Sequence, residues 1–108
     1  MNQEIKRALL IPCGRSEKLC LVTMCTYIHK VHWQAAELNH MLGIHKKTIH
    51  TAMRQLIVLG VVESAGKDEL NSNVYTLNLA RLKQLANEYA FNLLPELRVN
   101  QGIGSIAP

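Results

Sequence analysis

Read by its apolar and polar positions, the chain divides into helical segments with apolar residues three and four apart, interrupted once by two short β-prone runs. Leu21, Cys25, Ile28 and His32 share one face of a first helix over residues 17–31, and Leu19, Val22 and Met24 widen that face enough to predict a largely buried helix. Gly14, Arg15 and Ser16 read as a turn with Ser16 as N-cap, Glu17 in the first turn, and His29 and Lys30 at the far end, where cations suit the helix dipole. A short second helix over residues 34–42 ends at Gly43, a residue free to take the left-handed conformation. A third helix runs from His45 or Lys46 to Leu59. It has an apolar face of Ile49, Ala52, Met53, Leu56 and Ile57 and an opposite face of Lys46, Lys47, His50, Thr51 and Arg54. Gly60 stops it.

Val61 to Ser64 then reads as a strand, residues 65–73 as a long flexible tip, and Val74 to Leu77 as the returning strand. Asn78 is placed to cap a fourth helix reaching about Leu94, where Pro95 ends it. Its apolar stripe is Leu82, Leu85, Ala86, Tyr89 and Leu93. The first dozen residues suit either a strand or a helical turn, and residues 98–108 lack periodicity and are expected to form a mobile tail. The expected organisation is an N-terminal extension (1–16), one domain (17–78), a C-terminal helix (79–97) and the tail (98–108).

Length and charge sharpen this picture. A chain of 108 residues supports one core. Twelve Lys plus Arg against eight Asp plus Glu is a mild basic excess, so distribution matters more than the total. No acid occurs between Glu37 and Glu63, and Lys46, Lys47 and Arg54 fall in that gap. Cys13, Cys20 and Cys25 are odd in number, lack CxxC spacing and sit among apolar residues, which predicts reduced thiols and a cytoplasmic setting. The apolar run from Leu19 to Ile28 is too short to span a bilayer and is broken by Thr23 and Thr26.

The order helix, helix, glycine turn, helix, hairpin, helix resembles the winged helix-turn-helix family of DNA-binding domains over residues 17–94. The most specific stretch is AAELNHMLGIHKKTIHTAMRQLIVLGVVES, with Glu37-Leu38, then Leu42-Gly43-Ile44 at the turn, an inward Ile49, and a run-out into the wing; SNVYTLNL is similar to the returning wing strand. The resemblance implies a mainly α fold with a small β-hairpin (α+β), comprising a three-helix core, a wing and a C-terminal helix. It also implies a third helix that enters the DNA major groove, with contacts from His45, Lys46, Lys47, Thr48, His50, Thr51 and Arg54 and from the wing residues Lys67, Asn71 and Asn73. Independently of the family, a major groove about 12 Å wide admits one helix, and these side chains are hydrogen-bond donors suited to phosphates and base edges. The sequence departs from the family at Asn39, where a small residue is usual, at His45, where Ser or Thr often caps, and in the wing, where Glu63, Asp68 and Glu69 outweigh Lys67.

The expected function is sequence-specific binding of double-stranded DNA, as a transcription regulator acting by site occupancy. The alternatives are a replication or plasmid-maintenance factor using the same surface, or a protein-interaction module whose working face is Val58, Tyr75 and the fourth helix. A homodimer is expected through Leu82, Leu85, Ala86, Tyr89 and Leu93, the alternative being that this stripe only covers the three-helix core. Cys25, His29 and His32, at i, i+4 and i+7, offer three of zinc's four ligands on one helix face. The competing reading makes Cys25 a small buried hydrophobe and the histidines a wet helix end, and no metal or cofactor is expected. No carboxylate pair or phosphate loop points to an enzyme.

Overall fold

The computed structural model describes residues 2–93, with side chains through residue 90. Among these, five helices accompany a three-stranded antiparallel sheet: α1 (Gln3–Leu10), α2 (Arg15–Thr26), β1 (Trp33–Gln34), α3 (Ala35–Leu42), α4 (Lys46–Leu59), β2 (Val62–Lys67), β3 (Asn73–Leu77) and α5 (Leu79–Leu93). The fold is therefore α+β. The expected mobile tail at 98–108, the helix end near Leu94 and Pro95, and the side chain of Leu93 lie outside the described residues.

The first dozen residues are helical. Asn2 caps α1 by accepting from the Ile5 amide at 2.7 Å, and Ala8 and the following Ile11 are fully buried. Lys18 supplies the other end: its Nζ donates to the carbonyls of Ala8 and Leu9 at 3.0 Å each and to that of Ile11. Residues 1–16 are thus no mere extension. They contain α1 and the start of α2, and α1 packs on both α2 and α5.

α2 starts earlier and ends sooner than its periodicity suggests. Gly14, not Ser16, is the N-cap, with the Lys18 amide donating to the Gly14 carbonyl at 2.9 Å. The helix stops at Thr26, and the chain turns through residues 27–29 before Trp33 and Gln34 pair with Tyr75 and Val74 of β3. Strand β1 has no period-two signature in two residues; it exists because Trp33 is buried at 1% exposure beside an available strand edge. Lys30 closes this corner. Its carbonyl accepts from Trp33 Nε1 at 3.1 Å, and its ammonium lies 5.2 Å from the Trp33 ring centre and 2.6 Å from Glu37 Oε2.

The sheet order is β1-β3-β2. The register between β2 and β3 shifts between Ser64 and Lys67, where Gly66 takes a φ of 87°, a conformation that a glycine-type bulge uses. Residues 65–67 and 73 of the segment expected as a long flexible tip belong to the strands, leaving a turn over 68–72 built around Asp68. Its Oδ1 accepts from the amides of Leu70 and Ser72 at 2.9 Å each, its own amide donates to the Ser72 carbonyl at 3.0 Å, and Asn71 takes the left-handed conformation at φ 63°.

Helices and sheet share one core. Cys20, Leu21, Met24 and Cys25 of α2, Leu38 of α3, and Ile49, Ala52, Met53 and Leu56 of α4 are fully buried and meet Trp33, Val61 and Val62. Removing such a side chain from water contributes about 1.5–3 kcal/mol. No polar or charged residue is buried among the described residues. Ile57, assigned to the apolar face of α4, is exposed. In α5, Leu82, Leu85 and Ala86 belong to this core, with Tyr89 packed against its edge. The described part of the stripe therefore packs within the chain, as the core-covering alternative has it, and α1 and α5 are in contact.

Candidate nucleic-acid interface

The cationic face depends on the ends of α4. Gly43 closes α3 at φ 69°, its amide donating to the Asn39 carbonyl at 2.9 Å. The Asn39 side chain spans the turn, with Nδ2 donating to the Ile44 carbonyl at 2.7 Å. Asn39 departs from the usual small residue because it ties this turn. His45 caps α4 in place of Ser or Thr: Nδ1 accepts from the Lys47 amide at 3.1 Å, so that nitrogen carries no proton in this geometry. At the other end Gly60, at φ 85°, lets its amide donate back to Ile57 and Leu56.

Burying Ile49, Ala52, Met53 and Leu56 turns the opposite side of α4 outward. His45, Lys46, Lys47, Thr48, Thr51 and Arg54 are all exposed, and His50 is half-buried. Thr51 Oγ1 donates to the Lys47 carbonyl at 3.1 Å and so is partly used within the helix. The hairpin lies beside this face and makes a trough of two depressions. One, about 240 Å³, is lined by Gln34, Ala35, Ala36, Lys46, His50, Asn71, Ser72 and Asn73. The other, about 250 Å³, is lined by His50, Arg54, Ile57, Asn73 and Tyr75. They meet at His50 and Asn73. His50 Nδ1 lies 3.1 Å from the Tyr75 hydroxyl, a contact that joins the floor of the trough to the sheet.

No carboxylate lines either depression. The two ion pairs among the described residues are Arg7 with Glu4 and Lys30 with Glu37, so Lys46, Lys47 and Arg54 have no acidic partner there. The wing acids are partly engaged elsewhere. Asp68 accepts from Gln34 Nε2 and lines a separate depression with Lys30, His32, Glu37, Ala65 and Val74, and Glu63 Oε2 accepts from Asn78 Nδ2 at 3.0 Å.

The structure thus brings together Lys46, His50, Arg54, Asn71 and Asn73 of the expected residues. It places His45, Lys47, Thr48 and Thr51 on the same helix beyond the trough, and Lys67 on the exposed strand β2, paired in register with Asn73 but outside the trough. Gln34, Ser72 and Tyr75 line it without having been expected. Alternation could have flagged Tyr75 as inward, but its neighbour across the sheet depends on the fold.

The candidate zinc set does not assemble. α2 ends at Thr26, so His29 and His32 leave its face; Cys25 is fully buried and both histidines are exposed. No cluster of three potential ligands occurs among the described residues. Burial pushes the Cys20 thiol up to about 11 and the Cys25 thiol up to about 12, while Cys13, raised by partial burial, is held back by the nearby Lys18. No helix of the described residues is long and apolar enough to cross a membrane. Comparison with protein-family models and with curated proteins finds no match.

Proposed function

We propose that this chain binds double-stranded DNA by laying α4 into the major groove, with the hairpin alongside. The observation that carries the reading is the trough: Lys46, His50 and Arg54 stand one turn apart on a single helix, without a carboxylate in reach, beside amide side chains of the wing. Phosphates would meet cations that no internal partner neutralises, and the base edges would meet donors. The order of elements after α1, with β1 completing the sheet, supports a winged helix-turn-helix reading.

As a biological role we propose transcription regulation by site occupancy; a replication or maintenance factor would present the same surface. The protein-interaction alternative has less support. Tyr75 is only 5% exposed and Leu82, Leu85 and Ala86 of α5 are buried, so among the described apolar residues of that face only Val58 at 77% and Leu79 at 44% are largely exposed. The proposal takes the single chain as the DNA-reading unit, because a dimer through Leu82, Leu85 and Ala86 would have to displace α1.

The test is fluorescence anisotropy of a labelled mixed-sequence duplex at about 50 mM and about 200 mM salt. Micromolar binding that collapses at the higher salt is expected. No binding at the lower salt would reject the reading.

A further inference from the structure

His50 is the one side chain shared by α4, the trough and the sheet, and its geometry says more than that it lies there. Its Nδ1 is 3.1 Å from the hydroxyl of Tyr75. Tyr75 is buried in β3, between β1 and β2, so its ring cannot follow a ligand. A phenol is a good donor, and a neutral imidazole has one nitrogen that only accepts. When Tyr75 donates to Nδ1, the His50 proton must reside on Nε2, on the other edge of the ring.

We propose that Tyr75 is a positioning residue for DNA recognition, holding His50 in one tautomer so that Nε2–H is a fixed donor midway between Lys46 and Arg54. This rests on the DNA-binding reading above. A fixed donor has a defined complement in the major groove. Guanine presents two acceptors, N7 and O6, whereas cytosine presents an amino donor that an N–H cannot pair with. His50 therefore selects an acceptor-bearing base edge, guanine foremost, while Lys46 and Arg54 on either side supply charge. Tyr75 thus contributes to sequence choice through His50 rather than by a base contact of its own.

The experiment has two arms on the full chain. In the first, ¹⁵N NMR of the imidazoles in the free protein, at a pH near 8 where an ordinary histidine is neutral, reads the His50 tautomer in wild type and in Tyr75→Phe. A protonated Nε2 and a bare Nδ1 are expected in wild type, with the two signals drawn toward a mixed average in the variant. In the second, wild type, Tyr75→Phe, His50→Gln and His50→Asn select from a randomised duplex library at about 50 mM salt. The Gln amide reaches the place of Nε2 and the Asn amide only that of Nδ1. His50→Gln is expected to keep a purine acceptor at the position His50 reads while admitting adenine, since its amide also accepts, His50→Asn to lose the preference, and Tyr75→Phe to weaken it by roughly fivefold, the worth of one hydrogen bond. Thermal melts establish that each variant is folded. Mixed tautomers in wild type, or an unchanged ring signal in Tyr75→Phe, would overturn the positioning role whatever the DNA does. Identical selected sites for all four proteins would overturn the specificity role. Failure of wild type to enrich any duplex would reject the DNA reading and this role together, and is recognisable because the ring signature is measured without DNA.

Discussion

Replacing Gly60 by alanine should destabilise the protein more than the same change at Gly43, although both glycines end a helix in the left-handed conformation. At Gly43, φ is 69° and an added Cβ would meet nothing within 4 Å. The cost there is the backbone strain of a non-glycine residue in that region, about 1–2 kcal/mol. At Gly60, φ is 85° and the Cβ would lie 3.2 Å from Cγ and 3.3 Å from Nε of Arg81. That arginine cannot withdraw freely, because its Nε donates to the Leu59 carbonyl at 3.2 Å and its guanidinium reaches Gln84 at 2.8 Å. Moving it gives up a hydrogen bond worth about 1 kcal/mol. Gly60→Ala should therefore cost about 2–3 kcal/mol, a large part of a stability of about 5–15 kcal/mol. Urea unfolding followed by far-UV circular dichroism and by Trp33 fluorescence measures both variants against wild type. In an Arg81→Ala background the gap between the two glycines should close. If Gly60→Ala costs no more than Gly43→Ala in the wild-type background, the crowding at Arg81 is not a constraint and the reasoning fails.

Other outcomes are open to equally direct measurement. Neutralising Lys46, Lys47 or Arg54 singly should flatten the dependence of log affinity on log salt by about one unit for each phosphate that α4 no longer neutralises, read by anisotropy; an unaltered slope in all three would move the interface off α4. Lys18→Met should destabilise by about 1–2 kcal/mol, since it strips a cation from the carbonyls of Ala8, Leu9 and Ile11 at the end of α1; a neutral effect in urea unfolding would show that water replaces it without loss. Cys20 and Cys25 hold their protons more tightly folded than unfolded, so their contribution is complete below pH 9.0 and fades as pH rises toward about 11 and about 12. Relative to a Cys20→Ala, Cys25→Ala variant, wild type should lose about 1.4 kcal/mol per pH unit per thiol between pH 9.0 and each thiol's folded value and no more beyond it, measured by urea unfolding across alkaline pH; parallel curves would refute it.

Where the sequence was legible, it was so through local physics. Gly43 and Gly60 bracket α4 because α3 and α4 each end on a left-handed residue, which glycine adopts without strain, and both are where periodicity stops. The cationic face of α4 was equally open to reading, since burying Ile49, Ala52, Met53 and Leu56 leaves Lys46, His50 and Arg54 no direction but out. Asn78 caps α5 as its type and place suggest, accepting from the Arg81 amide at 3.0 Å.

The misreadings share a cause. Residues 27–32 continue a helical pattern, yet the helix ends at Thr26, because burying Trp33 and pairing it with Tyr75 requires extended chain. The α5 stripe left open whether it dimerises or covers the core, because nothing in its own spacing names α1 as its neighbour. Asp68 counts by type toward the acids that outweigh Lys67 in the wing, and only the fold shows that it also organises the hairpin turn and accepts from Gln34.

Taken alone, the sequence determined the glycine-closed ends of α3 and α4, the cap of α5, most of the inward face of α4 and the charge of its outward face, because capping and periodicity act over three or four residues. The tertiary structure decided which apolar stripes face each other, that a two-residue strand exists, and that the Tyr75 hydroxyl meets His50 from 25 positions away. Those depend on which distant surfaces close together, and a pattern that repeats every turn carries no record of its partner.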